Sequence, residues 1–395
     1  MTTTLTRTTA AVLLGVAVVV TAVNLRPAVV GVSPLLPRIR DDYGLSAPVA
    51  GLVSTASLVC FGVFAPLAPV LAKRLGLEAA TVAGLLLLAA GIAVRLLPGP
   101  SWLFVGAVLA GTGIAVGNTL LPAIVKRDFP HRVGTMTGLY SGGLNVGAGV
   151  AAAVAVPLAS AFGSWRASLA VWGVPALLGL ALWVVLRRHW TGRPADAPVD
   201  HGRVRLRGQP LAWMVTVFFA AQSFEFYAAT SWIPTLFADA GVSRAEAGLL
   251  LGFTNVIGLV SALTVPVFAA RRASQSGAVV GVVAFNVVGL VGLAFAPAAA
   301  PWLWMTLFGI GQGGGLAIGL LLFAVRAPDV RVASVLSGMA QCTAYLVAAT
   351  GPFLLGLVHD ATGGWAWPMG VELVMLVPML VAGWFAGRDR VLTRG

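Results

Sequence analysis

The chain is written twice. Tyr43-Gly44-Leu45-Ser46 to Gly51-Leu52 returns 197 residues later as Ala240-Gly241-Val242-Ser243 to Gly248-Leu249, with its Gly, Ser, Gly and Leu in register. Gly111, Gly113, Val125, Gly138, Gly163 and Trp165 recur at an offset of 200 as Gly311, Gly313, Val325, Gly338, Gly363 and Trp365. The chain is 58% hydrophobic and 10% charged, with a mean hydropathy of +0.94. A soluble domain carries roughly 25% charged residues. The repeated unit is therefore a bundle of membrane-spanning segments.

Cutting the apolar runs at turn residues and charges predicts twelve spans, at 9–38, 46–72, 76–97, 101–125, 132–160, 165–187, 209–238, 243–270, 275–297, 301–325, 331–358 and 364–387. Each exceeds the ~20 residues needed to cross the hydrocarbon core. Helix is expected throughout, because open strands leave backbone groups unsatisfied in lipid. The fold class is all-α integral membrane. It has an N-terminal six-helix bundle at 1–187, a polar cytoplasmic linker at 188–208 and a C-terminal six-helix bundle at 209–395.

Charge orients the chain. With both termini cytoplasmic, 19 of the 25 Lys and Arg fall in cytoplasmic segments and five near the outer side, leaving Arg26. That is the positive-inside pattern. The net charge of +12 then belongs to loops beside anionic lipid, with no nucleic-acid partner implied. The expected location is a bacterial cytoplasmic membrane, crossed many times. The apolar run from Ala10 to Val23 lacks a small-residue cleavage site and is expected to stay attached.

Enzymatic readings find little support. His131, His189, His201 and His359 have no second His or Cys at ligand spacing, and Cys60 and Cys342 lie inside apolar spans. No metal or other cofactor is expected. Gly309-Ile310-Gly311-Gln312-Gly313-Gly314 matches G-x-G-x-x-G, but no strand precedes it, so the dinucleotide reading fails its context test. Gly311, Gly315 and Gly319 instead follow the small-residue spacing that lets membrane helices approach closely. A duplicated bundle of membrane helices is the build of many transporters, with the binding site between the repeats.

A few polar residues stand out within the spans. Arg26, in Asn24-Leu25-Arg26-Pro27, costs about 2.5–3.5 kcal/mol to insert at a helix centre and must face protein or water. Its guanidinium fork suits a carboxylate or small anion. A buried salt bridge is the structural alternative. Glu225 sits at similar depth in the seventh span, as a carrier of a coupling proton or as the counter-ion of Arg26. Gln222 shares its helical face. Ser141 and Asn145 match Gln341 and Tyr345 across the repeats, four apart in each case, which suggests a shared cavity or interhelical hydrogen bonds. Tyr140, Asn118, Asn255 and Gln312 are further candidates. Glu372 has no assigned role.

At this point the chain resembles the major facilitator superfamily over essentially its whole length. In that family spans 1, 4, 7 and 10 line the cavity, which would place Arg26, Asn118, Glu225 and Gln312 on cavity helices, and Asn286 and Glu372 on peripheral ones. Ser164-Trp165-Arg166 resembles the family's Gly-Trp-Arg element. The signature after span 2 normally carries Asp, whereas Leu71-Ala72-Lys73-Arg74-Leu75-Gly76 has Lys73 in that place. Asn24-Leu25-Arg26-Pro27, Pro34-Leu35-Leu36-Pro37, Gly91 to Arg95 and Trp232-Ile233-Pro234 are similar to the cyanate permease and nitroimidazole transporter branch. The resemblance implies secondary active transport of a small anion or small polar heterocycle by alternating access. Arg26 would bind the substrate, Gln222, Gln312, Gln341 and Tyr345 would orient it, and protons are a second candidate partner. An efflux pump for heterocyclic compounds and a non-transporting membrane sensor are the alternatives.

Overall fold

Helix is the only regular structure among the described residues, which in this computed structural model are 7–45, 47–189 and 204–393. Twelve spans can be traced. They are Val12–Val30, the pair Ala47–Phe64 and Leu67–Leu75, Leu77–Val94, Pro100–Asp128, Pro130–Ala161, Trp165–Leu186, Pro210–Asp239, Glu246–Ala270, Ser276–Phe295, Pro301–Val325, Val330–Thr362 and Ala366–Ala386. They are called spans 1 to 12 below. An even number brings both termini to one end of the bundle. Most of the expected linker, residues 190–203, lies outside the described residues.

Proline accounts for the main departures from the expected boundaries. Span 2 bends by 51° where Pro66 follows Ala65. Span 1 does not run on to residue 38. Its helix stops at Asn24, resumes over Pro27–Val30, tightens to a 3₁₀ turn at Ser33–Leu35, and gives way to a separate helix, Leu36–Tyr43. Pro27 has no N–H for the carbonyl of Val23, four residues back, so the ladder must break there.

The helix pairings repeat. Span 1 packs on 5 and 6, as 7 packs on 11 and 12; span 4 packs on 2 and 3, as 10 packs on 8 and 9; span 3 packs on 6, as 9 packs on 12. The two sets meet through spans 2 and 11 and through spans 5 and 8. Side chains repeat as well. Trp165 Nε1 donates to Asp42 at 3.0 Å, and its counterpart Trp365 donates to Asp239 at 2.8 Å. The matched glycines Gly44 and Gly241 both take positive φ, at 63° and 85°, at the turn leaving the odd-numbered span. A side chain would be strained there, which explains why both copies keep glycine.

Close packing seals the end that carries the termini. A Cβ on Gly138 would strike the carbonyl of Leu263, and one on Gly134 would meet Pro266 and Ala270, so span 5 rides against span 8. Gly338 of span 11 likewise packs on Ala65 and Pro69 at the bend of span 2. Lys126 Nζ donates to the Ala324 carbonyl at 2.9 Å, tying span 4 to span 10. Among the described residues Lys73 makes no ion pair; one nearby instead joins Arg127 to Glu78 of span 3.

Candidate functional site

The break in span 1 delivers a charge to the centre of the bundle. Arg26 sits at the break, with φ −110° and ψ −37°. The Val23 carbonyl freed by Pro27 lies against Gly147 of span 5, where any side chain would clash with that backbone. Asn24 Nδ2 donates to the carbonyls of Val20 and Pro175, fixing span 1 to span 6. Past the break, Val32 N–H turns to the Val29 carbonyl, so it does not take the Ala28 carbonyl. Arg95, 1% exposed in span 3, donates its Nη1 to that carbonyl. Arg95 thus satisfies one carbonyl freed by the unwound segment, and close packing on Gly147 holds the break beside Arg26 in place.

Arg26 reaches across the bundle. Its Nη1 donates to the Tyr227 hydroxyl of span 7 at 2.8 Å. No carboxylate among the described residues forms an ion pair with it. None of its nitrogens is both buried and unpartnered, so its remaining donors open onto a cavity of about 90 Å³. Asn145, Gln222, Asn255, Gln312 and Tyr345 also line this cavity. The cavity lies on the side of the bundle away from the termini, beyond the sealed end. Aromatic rings form much of its wall. Tyr345 stands edge-on to Phe61 at 5.3 Å and to Tyr227 at 6.4 Å, and Phe226 is edge-on to Tyr227 at 5.2 Å.

An amide relay leads away from the cavity. Gln222 Nε2 donates to Gln312 Oε1 at 3.2 Å; Gln312 Nε2 donates to Glu225 Oε2 at 3.2 Å and to Asn286 Oδ1 at 3.4 Å. Glu225 is fully buried behind the wall and reaches Gln312 rather than Arg26. Spacing explains this. Glu225 lies three residues from Gln222, whereas Tyr227 follows Ser223 by one helical turn on the face turned toward span 1.

The expected site residues divide into two groups. Arg26, Asn145, Gln222, Gln312 and Tyr345 meet around the cavity. Asn118, Gln341 and Tyr140 do not line it. Gln341 Nε2 donates to the Asn118 carbonyl at 3.1 Å and to Ser337 Oγ at 2.8 Å, so it ties span 11 to span 4. It sits one turn closer to the sealed end than Tyr345. Tyr140 is 1% exposed, and its hydroxyl has no partner. Tyr227, Phe61 and Phe226 were not among the expected site residues. Scarcity was a usable signal for the first, since the chain has only four tyrosines and three of them lie within spans.

The family model described as Major Facilitator Superfamily matches residues 12–345. The chain is 40% identical over 373 residues to the 2-nitroimidazole transporter of Escherichia coli (strain K12), covering 93% of this chain and 94% of that one. It is 26% identical over 364 residues to the cyanate transport protein CynX of the same organism, covering 92% and 94%. The solved structure of the proton:xylose symporter XylE superposes with a TM-score of 0.79 at 12% identity, covering 98% of both chains, which is a likeness of fold. With the family model spanning most of the sequence and a relative aligned nearly end to end, the chain belongs to the Major Facilitator Superfamily.

Proposed function

We propose that this protein is a secondary active transporter of a small planar polar heterocycle or small anion, moved by alternating access between two six-span halves. The observation that carries the reading is Arg26, a guanidinium with no carboxylate partner and with free donors facing a cavity walled by aromatic rings. Such a fork binds a nitro group, a carboxylate or a compact anion through two parallel hydrogen bonds. Rings of Phe61, Phe226, Tyr227 and Tyr345 offer edges and faces to a flat ligand. Cavities of this kind are mostly apolar, with few polar groups to fix orientation. Of the two substrate classes, the aromatic wall favours the heterocycle, as does the higher identity to the 2-nitroimidazole transporter.

Within this reading Arg26 contacts the substrate, and Tyr227, Tyr345, Gln222 and Asn145 orient it. Gln341, Asn118 and Tyr140 hold the helices beneath it. Glu225 is the candidate proton carrier, reached from the cavity through Gln222 and Gln312. The sealed terminus end is the cytoplasmic one by the charge pattern, so the cavity belongs to the outer side. Rocking of the halves about spans 2 and 11 and spans 5 and 8 would carry the site across.

Counterflow in proteoliposomes tests this. Vesicles preloaded with 2-nitroimidazole take up the labelled compound only if the protein carries it in both directions. The expected result is uptake with 2-nitroimidazole that Arg26→Ala abolishes and that cyanate competes for weakly. No uptake of either compound, with folded protein confirmed by its melting curve, overturns the reading.

A further inference from the structure

A second carboxyl group lies behind the cavity, on a helix with no place in it. Glu372 of span 12 is fully buried, and neither of its oxygens has a hydrogen-bond partner. Glu225 Oε1 and Asn286 Nδ2 are also buried without partners. Three neighbouring helices thus carry unsatisfied polar atoms in one apolar layer, where such groups are rare.

Packing brings these groups together. Glu372, Leu376, Met379 and Gly383 share a face of span 12. Met379 lies against Gly315 of span 10, and Gly383 against Phe218 of span 7 and Val279 of span 9. That face therefore looks into the layer holding Glu225, Gln312 and Asn286, and Glu372 is within electrostatic range of Glu225. Spans 9 and 10 bring no titratable side chain. Span 7 brings Glu225, Tyr227 and Asp239, the latter two bonded to Arg26 and Trp365. The end of span 11 that touches span 12 brings His359 and Asp360, which pair with each other at 3.5 Å. No cation faces either glutamate among the described residues.

An unpaired carboxylate costs several kcal/mol to bury, and two charged carboxylates in one apolar layer also repel. Protons are what relieve both terms. We propose that Glu225 and Glu372 form a proton-binding pair, with the amides of Gln312 and Asn286 beside them, and that the pair gains and gives up a proton during the transport cycle. The inference rests on the transport reading. The step is proton transfer alone. An O–H bond forms on one carboxylate as a proton leaves water in the cavity, and it breaks when the proton returns to water. Gln312 provides the link, since it bonds both Glu225 and the cavity residue Gln222. A substrate that draws Gln222 away changes the donor set at Glu225.

The test uses the full chain in liposomes, with the Glu225→Gln, Glu372→Gln, doubly substituted and Glu372→Asp variants. Infrared spectra across a pH series follow the stretch of protonated buried carboxyls and need no substrate. The expected result is a band that titrates in the wild type and vanishes in the double variant. Its midpoint moves by about one pH unit or more in each single variant, as for a coupled pair. A midpoint unchanged by Glu372→Gln overturns the proposal. The second arm drives 2-nitroimidazole uptake with an imposed pH gradient. Glu372→Gln should keep counterflow and lose gradient-driven accumulation, and Glu372→Asp should restore accumulation. Full accumulation in Glu372→Gln overturns the proposal. If the wild type moves neither 2-nitroimidazole nor cyanate, the transport reading fails, and the infrared arm still decides the pair.

Discussion

Arg26 and Tyr227 belong to different halves, and their bond at 2.8 Å allows the guanidinium's role to be separated by a double-mutant cycle. The variants are Arg26→Ala, Tyr227→Phe and the pair. A guanidinium has five N–H donors, of which Tyr227 uses one. Two bonds to an anionic or nitro oxygen pair therefore remain available to a ligand. A hydrogen bond to a charged group contributes about 1.5–3 kcal/mol net, so losing both ligand bonds weakens binding by more than about a hundredfold. Tyr227→Phe leaves the guanidinium present but less well aimed, and its loss is expected to be well below tenfold. In the pair, the loss should equal that of Arg26→Ala alone, because the hydroxyl acts only through the guanidinium. Binding of 2-nitroimidazole by calorimetry in detergent gives all four corners, with melting curves confirming folded protein. Two losses that add in the pair would refute the reasoning, as would unchanged binding in Arg26→Ala.

Three further outcomes are expected. Gly313→Ala would drive a methyl group into the backbone of Gly258, and overpacking of this kind costs about 1–3 kcal/mol, read as a lower melting temperature in detergent. Lys126→Met removes the bond to the Ala324 carbonyl that helps close the terminus end; it should weaken that closure by about 1 kcal/mol. The readout is faster thiol labelling of a Ser337→Cys reporter, buried in this conformation, with Cys60 and Cys342 replaced by alanine. Gln341→Leu loses the donation to the Asn118 carbonyl that ties span 11 to span 4, and a second to Ser337 within span 11, so it should lower stability by about 1–3 kcal/mol and leave substrate affinity unchanged. A loss of affinity at unchanged stability would make Gln341 a substrate ligand.

Apolar length and the repeat made the twelve spans legible in the sequence, because both follow from single-residue properties. The ends of span 1 were not. Pro27, Pro34 and Pro37 were visible as kinks, but whether a chain kinks or leaves the membrane path depends on what receives the freed carbonyls. Here Arg95 donates to the Ala28 carbonyl, while Gly147 only makes room for the Val23 carbonyl. Arg26 was legible as a buried cation because its insertion cost is local. Its partner was not, since Tyr227 faces it from 201 residues away while the more conspicuous Glu225, two positions earlier, faces elsewhere. Helical spacing separates the two side chains, but only the packed bundle says which face looks toward span 1.

The duplication also shows which parts could diverge. Pairs that hold the shell are the same in both copies, as with Trp165–Asp42 and Trp365–Asp239. Lys126 and Arg326, 200 residues apart, both donate to backbone carbonyls near the sealed end. The interior kept no such match. At the 197 offset Arg26 faces Ser223, and Glu225 falls where the first copy has Ala28, whose carbonyl Arg95 occupies. Spans 1–6 therefore hold two buried arginines, Arg26 and Arg95, with no carboxylate partner among the described residues. Spans 7–12 hold two buried glutamates, Glu225 and Glu372, with no cation partner among the described residues, since the buried Arg326 lies at the sealed end and donates to backbone carbonyls there. A symmetric interior would give two equal half-sites and no reason for substrate and proton to bind in different places. In the proposed reading the split puts electron-rich ligands against one wall and protons behind the other, with Gln222 and Gln312 between them. Coupling in that reading passes through those two amides. Gln312→Leu should abolish gradient-driven accumulation of 2-nitroimidazole, and full accumulation in that variant would refute this route.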